Sequence, residues 1–411
     1  MKHQLYKLIN SSRLIEFIIF FSVSYNFFLS IINAHVIEIN PYVTYTIEAI
    51  LIFLSLIKFY GNDLRLLKWS IYSLIIINGI EIIRILCGII PDLKFYRDTL
   101  IECSYLGLGL CYHEKKTCYL EFLLKFTIFI SFISFIELKW TSIYELFVDP
   151  RSYYISAKKF SENSFWQVGS KLFLSANRPD QRFFFPHSDL VRSSSVFLEP
   201  VTMGNFIIFL SSVCTAFYID LSKKQKFLFF ILVFFLIIAA DSRLAFYTLI
   251  ILCISTPVSK IYKTDLSIYF ALLIILSGAM IHGIWHDRSY QDNFIGRINY
   301  SYNVIYKLSL PSWLGFDQNM NAGYWDSGIS YMIVSQSIFF ILWNLFMYKF
   351  IIKTQDVKIL IFKNNAIIAV VLSLIVSNSF FSIKTAALWW FSLGYFSYLS
   401  SNQHLHKKIV Y

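Results

Sequence analysis

Long apolar runs are the feature that most constrains what this chain can fold into. Stretches such as residues 14–32, 201–219 and 266–284 approach the length of about 20 residues that a helix needs to cross a hydrocarbon layer. Polar and apolar residues do not alternate along these runs, which favours helices over the strands of a barrel. Hydrophobic residues make up 57% of the chain and charged residues only 15%, so a pair of soluble domains is excluded.

The lengths of the apolar runs predict an all-α, polytopic membrane bundle of about 12 transmembrane helices, forming a single integral-membrane domain over residues 1–411. The first run follows three basic residues but lacks a small-x-small cleavage site, so we interpret it as a retained span and not as a signal peptide. The predicted spans are residues 14–32, 42–60, 69–90, 98–112, 119–138, 201–219, 227–240, 244–257, 266–284, 328–352, 366–381 and 386–399.

Basic residues collect in the short loops on one side of the predicted bundle, together with both termini. This is the positive-inside pattern, so that side is predicted to be the cytoplasm of a cell inner membrane. The same pattern explains the formal net charge of +11 without a nucleic-acid partner. The basic loop residues are Arg65, Lys68, Lys115, Lys116, Lys223, Lys224, Lys226, Lys260, Lys263, Lys353, Lys358, Lys363, Lys407 and Lys408.

Two long polar insertions, residues 139–200 and residues 285–327, are predicted on the opposite, periplasmic side. Insertions of this length more often carry function than mere connection. Their aromatic and basic residues suit loops or helices at the level of the lipid headgroups. The six cysteines lie in apolar spans or beside lysine-rich loops, so neither a disulfide framework nor a CxxC metal site is indicated.

Arg192 and Arg243 are the strongest candidates for binding an anion. Arg243 lies at the start of a helix that enters the membrane from the periplasmic side, where the helix dipole already contributes positive charge. A pyrophosphate would compensate this charge, since a helix N-terminus with arginines suits anions. The alternative is that Arg243 pairs with Asp241 or with lipid headgroups.

Two further residues are candidates at the same periplasmic face. Glu199 precedes Pro200, which fits the first turn of a helix, so Glu199 is predicted to be extended and near the same mouth. It would orient Arg192, act as a base, or complement the helix dipole. Arg84 lies three residues after Glu81 within a span, so the two form a structural ion pair unless Arg84 reaches a lipid phosphate.

Asp326 opens the tenth predicted span at the end of the second insertion. A carboxylate there can take a proton from a sugar hydroxyl within hydrogen-bond reach, and the alternative is a helix cap. His282 and His286 are one helical turn apart, but a second group of metal ligands is missing, so no metal site is expected. Nucleotide-binding motifs are missing too, and we expect no cofactor.

Three motifs together resemble the O-antigen polymerase and ligase superfamily, especially the Wzy-type polysaccharide polymerases. They are the segment from Arg192 to Gly204, the turn Asp241-Ser242-Arg243, and the stretch 311–316 followed by Asp326-Ser-Gly. By motif the resemblance covers roughly residues 192–340, and by topology it covers the whole chain.

This resemblance implies a metal-independent membrane glycosyltransferase that polymerises oligosaccharide repeat units linked to undecaprenyl pyrophosphate, at the periplasmic face. The product would be O-antigen or a related surface polysaccharide. Arg192 and Arg243 match the family arginines that bind pyrophosphate, and Arg84 is a third candidate. Asp326 stands where the ligase branch carries its acceptor-activating histidine, so Asp326 and then Glu199 are the catalytic candidates. Expected partners are the lipid-linked donor and acceptor, membrane lipids and a chain-length regulator protein.

Two other functions remain open at this point. An O-antigen ligase would transfer the glycan to lipid A-core, although Asp326 in place of the histidine weakens that assignment. A polysaccharide flippase would place most of its polar groups along a central pathway and not in two large outer loops.

Overall fold

The computed structural model describes residues 12–57, 64–90, 93–165, 167, 169–177, 182–285, 293–317, 326–352 and 354–409. Over these residues the chain is helical, without a strand, which confirms the predicted fold class at the level of a helical bundle. The α-helices are α1 (Ser12–His35), α2 (Pro41–Ile57), α3 (Leu64–Leu86), α4 (Leu93–Leu110), α5 (Lys116–Lys139), α6 (Thr141–Phe147), α7 (Pro150–Lys158), α8 (Pro200–Phe217), α9 (Lys223–Ala240), α10 (Arg243–Tyr262), α11 (Ser267–Trp285), α12 (Phe294–Tyr306), α13 (Leu310–Trp313), α14 (Gly328–Ile351), α15 (Val357–Val376) and α16 (Ile383–Ile409).

Eight of the helices in the described part of the chain are long and apolar enough to cross a membrane, namely α1, α3, α5, α8, α10, α11, α14 and α15. Helix α2 is apolar but shorter. Helices also lie at the other three predicted spans, and two of these are conspicuously charged. Three lysines lie in the first turn of α9, and α4 carries Lys94, Arg97, Asp98 and Glu102. The chain therefore has the helices of a membrane protein, while the number of twelve spans remains a prediction.

The two insertions meet at one end of the bundle, which we call the insertion end. Helices α8, α10, α14 and α16 all begin there. The first insertion contains α6 and α7, and the second contains α12 and α13. The beginnings of these helices are closely packed. A Cβ added at Gly204 in α8 would lie 2.6 Å from the Oγ of Ser242, the residue that caps α10. A Cβ added at Gly328 in α14 would lie 2.4 Å from the backbone oxygen of Ser377, which follows α15. Which side of the membrane this end faces remains a prediction.

Helices α4 and α16 approach each other more closely than side chains would allow. A Cβ on Gly109 of α4 would lie 2.0 Å from Phe391 O, and one on Gly394 of α16 would lie 2.0 Å from Leu106 O. Small residues let helix backbones approach closely, and such packing is a main source of association inside membranes. The glycine pair therefore fixes where these two helices cross.

Helix α14 is broken in its middle. Ser337 has φ 68° and ψ 159°, a combination that is strained for a residue with a Cβ. Irregular backbone at membrane depth is tolerated where it is buried in protein or lines a polar cavity. The side chain of Ser337 is fully buried, so α14 consists of two half-helices joined inside the bundle.

Candidate functional site

The turn between α9 and α10 organises the insertion end. Asp241 is left-handed, with φ 50°, and its carboxylate accepts hydrogen bonds from the backbone N–H groups of Phe183 at 3.0 Å and Phe184 at 2.8 Å. Ser242 is the residue that caps α10, since its Oγ accepts from Ala245 N at 3.3 Å. The turn thus anchors the middle of the first insertion.

Arg192 lies beside this turn, as the sequence motifs suggested, but its guanidinium is buried. Its Nε donates to Ala240 O at 3.2 Å and lies 4.0 Å from Asp241 Oδ2, and its Nη1 donates to Ser175 O at 3.3 Å. Arg182, which sequence analysis did not single out as a site residue, donates to Val191 O at 2.8 Å and lies 4.0 Å from the same carboxylate. Both arginines therefore hold the insertion against the turn.

Arg243 is more accessible and begins α10. Its guanidinium lies 6.0 Å from the ring centre of Phe183. The Phe183 ring contacts Tyr247 at 6.4 Å, and Tyr247 contacts Phe294 of the second insertion at 5.2 Å. These three rings, which we call the aromatic bridge, connect the two insertions. Arg243 thus lies at one end of a surface that both insertions share.

Asp326 lies at the other end of this surface, with Arg297. Arg297 follows Phe294 by one turn of α12, and its Nη1 lies 3.4 Å from Asp326 Oδ1. The N-cap of α14 is Ser327, whose Oγ accepts from Ser330 N at 3.3 Å. The capping alternative for Asp326 is therefore wrong, and its side chain is 38% exposed to solvent.

Glu199 lies at the start of α8 with an unforeseen partner. It is extended, with φ −131° and ψ 123°, and Pro200 occupies the first helical turn, as predicted. Lys384 Nζ, at the start of α16, lies 3.6 Å from Glu199 Oε1, and the hydroxyls of Thr202 and Tyr154 donate to the same carboxylate. Burial raises the pKa of Glu199, whereas Lys384 and these hydroxyls lower it. The lowering effects together outweigh burial, so the pKa of Glu199 lies below its usual value.

Helix α7 connects Glu199 to a second group of charged residues, because it carries both Tyr154, which donates to Glu199, and Lys158, which pairs with Glu48. Lys158 Nζ lies 3.6 Å from Glu48 Oε1, and Arg97 Nη1 lies 3.2 Å from Glu48 Oε2. Burial, which outweighs the attraction of Glu48, lowers the pKa of Lys158, and repulsion from Lys384 acts in the same direction. Sequence analysis did not identify Lys384 and Lys158 as site residues, because their partners Glu199 and Glu48 are distant in the sequence.

Glu137 is a further residue that the sequence did not reveal. Its fully buried carboxyl accepts from Ser193 Oγ at 2.6 Å, Ser194 N at 2.9 Å, Ser194 Oγ at 2.8 Å and Ser195 N at 2.7 Å. These are the residues that follow Arg192. The carboxyl at the end of α5 therefore sets the path of the motif that leads into α8.

Arg84 is fully buried and surrounded by hydrogen-bond acceptors. It pairs with Glu81, as the structural alternative required, and donates to Gly315 O at 2.6 Å, Val334 O at 2.9 Å and Ser335 O at 2.7 Å. Val334 and Ser335 precede the break in α14, so their carbonyls have lost helical partners. Arg84 supplies those partners, which explains why a fully buried arginine is present within α3.

Positive charge collects at the insertion end. Four helices begin there, and each N-terminus carries about half a positive charge. Arg243, Arg297 and Lys384 lie at or next to three of these N-termini, and Asp326 supplies an accessible carboxylate. The arrangement matches the chemistry of a phosphate-bearing ligand next to a proton acceptor.

Among the described residues no group of three or more His, Cys, Asp or Glu could hold a metal ion. His282 lies against Asn299 of α12, and His286 lies outside the described residues.

Comparison of the chain with protein-family models, with curated proteins and with solved structures gives no match.

Proposed function

We propose that this chain is a membrane glycosyltransferase that polymerises oligosaccharide units linked to undecaprenyl pyrophosphate, at the periplasmic face of the inner membrane. The observation that carries the proposal is the meeting of four helix N-termini with Arg243, Arg297 and Lys384 beside an accessible carboxylate. A lipid-linked pyrophosphate suits this place because its lipid stays in the bilayer while its charge lies at the helix N-termini.

In this proposal the donor pyrophosphate binds next to Arg243. The arginine is half-buried and lies on an aromatic ring, so its fork is restrained while it can still reach a ligand. As the bond between the sugar and the pyrophosphate breaks, negative charge grows on the leaving oxygen, and fixed cations and helix N-termini stabilise it. Arg192 acts indirectly, since it holds the turn that presents Arg243.

The acceptor sugar binds on the side of Asp326. An acceptor hydroxyl oxygen attacks the anomeric carbon of the donor, its proton passes to Asp326, and the electron pair of the broken bond leaves with the pyrophosphate. Arg297, 3.4 Å away, keeps Asp326 oriented. Glu199 is a weaker candidate for the base because Lys384, Thr202 and Tyr154 already occupy its oxygens.

The broken helix favours one rival function, a polysaccharide flippase. Discontinuous helices with polar groups at membrane depth are typical of transporters. The break in α14 has this character, with Ser335, Gln336 and Ser337 fully or almost fully buried. A flippase needs no accessible proton acceptor such as Asp326, because it breaks no glycosidic bond, and for this reason we favour the polymerase.

Purified protein in liposomes containing lipid-linked repeat units tests the proposal directly. Wild-type protein should produce a ladder of longer lipid-linked glycans. Asp326→Asn should slow this reaction by about 100-fold or more while retaining donor binding, since an amide cannot accept the proton. Arg243→Lys should weaken donor binding, because lysine lacks the bidentate fork. Glu121→Gln, at an exposed pair with Lys125 on α5, is the matched control.

Each alternative has its own outcome in this experiment. Transfer only when lipid A-core is supplied would identify a ligase. Movement of intact lipid-linked units between leaflets, without new glycosidic bonds, would identify a flippase. Full activity of Asp326→Asn would eliminate the general-base role even if polymerisation itself occurs.

A further inference from the structure

A polar cavity in the first insertion takes no part in the proposed reaction. It has a volume of about 370 Å³ and is bounded by the segment between α1 and α2, by α7 and by the chain that follows α7. The described residues that line it are polar or glycine, with the exception of Ile155. Sites for small molecules have volumes of about 300–1,000 Å³ and are as a rule mostly apolar. A cavity of this size and polarity therefore suits a hydrophilic ligand.

The polar groups that α7 contributes to the cavity are held in place by α1. Asn33 of α1 donates from Nδ2 to Ser152 Oγ at 3.0 Å and accepts from Ser156 Oγ at 3.0 Å. Asp149, the residue that caps α7, accepts from Ser152 N at 2.9 Å. These hydroxyls and this carboxylate are positioned before a ligand arrives, which lowers the entropic cost of binding.

The chain that follows α7 forms another wall, which is also held by hydrogen bonds. Ser170 Oγ donates to Glu145 Oε1 at 3.1 Å and accepts from Asn177 Nδ2 at 2.7 Å. Lys171 Nζ donates to the backbone oxygen of Glu145 at 3.2 Å, and Lys171 O accepts from Arg151 N at 2.9 Å. The residues that bring positive charge to the cavity therefore belong to an ordered wall.

The charges around the cavity select the ligand. Three carboxylates line it, those of Glu38, Asp149 and Glu162, together with two cations, Arg151 and Lys171. A carboxylate accepts hydrogen bonds and these cations donate them, whereas a sugar hydroxyl does both, so one sugar ring can use groups of both kinds. The excess of carboxylates disfavours an acidic sugar and favours a neutral or amino sugar.

The chain that follows α7 also connects the cavity with Arg192. Ser175 O accepts from Arg192 Nη1 at 3.3 Å, and Ala176 O accepts from Arg192 N at 3.0 Å. Since Ala176 follows Ser170 of the cavity wall by six residues, their Cα atoms lie within about 20 Å of each other. The cavity is therefore within the reach of an oligosaccharide of several sugars from the turn that presents Arg243.

We propose that this cavity binds the sugars of the lipid-linked oligosaccharide that are farthest from the pyrophosphate, and that these sugars are neutral or carry an amine. The inference rests on the proposed function, because it identifies part of the substrate of that enzyme. The pyrophosphate binds next to Arg243 while the far end of the glycan fills the cavity. The first insertion thereby selects which repeat unit is polymerised.

Binding of free glycan tests the cavity apart from the pyrophosphate site. Lipid-linked oligosaccharides are extracted from the cells that naturally produce the protein, and mild acid removes the lipid and the pyrophosphate. The glycan is then added to the full chain in lipid nanodiscs, which avoid detergents with sugar headgroups. Saturation-transfer NMR measures the Kd and identifies the sugars that contact the protein.

The double variant Glu38→Ala/Glu162→Ala should raise the Kd by about 10-fold or more, because hydrogen bonds to two charged groups are lost. Both side chains are exposed, so the variant should fold. Asp189→Ala removes an exposed carboxylate of the same insertion that does not line the cavity, and it should leave the Kd unchanged. Arg243→Lys should also bind the free glycan as wild type does, since this glycan lacks the pyrophosphate.

An unchanged Kd in the double variant, or a free glycan that does not bind, overturns the inference. Saturation transfer confined to acidic sugars or to the sugar at the reducing end overturns it as well. The ladder of lipid-linked glycans reports separately on the proposed function. A ladder without binding of the free glycan refutes the cavity alone, whereas binding that depends on Glu38 and Glu162 without a ladder refutes the polymerase alone.

Discussion

Glu137 allows the sharpest test of how the insertion end is built. Its carboxyl accepts four hydrogen bonds from three consecutive serines, and two of the donors are the backbone N–H groups of Ser194 and Ser195. Glu137→Ala removes both acceptor oxygens and leaves those two amides buried without a partner. Glu137→Gln retains an oxygen that can accept from both amides, while its NH₂ group faces Ser194 Oγ, a hydroxyl that can reverse and accept.

The magnitudes of the two effects differ enough to separate them. A buried donor left without a partner costs about 1–3 kcal/mol, so the alanine variant should destabilise the segment by about 2–6 kcal/mol. The glutamine variant keeps an acceptor for both amides and loses mainly charge assistance, about 1 kcal/mol. Because about 1.4 kcal/mol corresponds to a factor of ten, local opening should increase by about 30-fold or more in Glu137→Ala and by about 5-fold in Glu137→Gln.

Hydrogen exchange followed by mass spectrometry measures this local opening without requiring reversible global unfolding. Peptides covering residues 192–199 should exchange faster in Glu137→Ala, whereas peptides from α15 should not change. Glu121→Ala, at an exposed pair on the same helix, serves as the control. Equal exchange in the alanine and glutamine variants would show that the carboxyl does not hold the serine segment, and the reasoning would fail.

Two further predictions concern helix packing and charge. Gly394→Ala should lower the melting temperature and weaken the contact between α4 and α16, because its Cβ would lie 2.0 Å from Leu106 O; Gly79→Ala, with no atom within 4 Å of the added Cβ, should be neutral or stabilising. Lys384→Met should raise the pKa of Glu199, since Lys384 is the main group that lowers it. Wild-type stability from this pair is present above about pH 4.3 and is lost as pH falls through the lowered pKa of Glu199, and in Lys384→Met this loss should begin at a higher pH. Adding Glu199→Gln to Lys384→Met should remove that pH dependence, and an acid-to-neutral melting series of all three proteins would expose an error in this assignment.

Local signals in the sequence predicted the helical class, the start of α8 at Pro200 and the turn at Asp241-Ser242, because apolar run length and capping chemistry act between neighbouring residues. The sequence also placed Arg192 near that turn. It could not show that Arg192 is buried, since its partners, such as Ser175 O and Ala240 O, are backbone atoms that only the folded chain brings together.

Other features were beyond sequence analysis for a related reason. The break in α14 has no proline or glycine beside it, and the carbonyls it frees are satisfied by Arg84, more than two hundred residues earlier. Lys384 is one cation in a helix that sequence analysis treated as apolar. Its pairing with Glu199 became visible only when α8 and α16 were seen to begin side by side.

The close crossing of α4 and α16 has a consequence for how the protein is made. Helix α4 carries four charged side chains and is synthesised early, whereas α16 is the last described helix to leave the ribosome. Until then, the glycine surface of α4 lacks the helix that it fits. Nascent or truncated chains would therefore leave the glycine surface of a poorly apolar helix uncovered. Membrane quality-control proteases should recognise such chains, and completion of α16 should end that exposure.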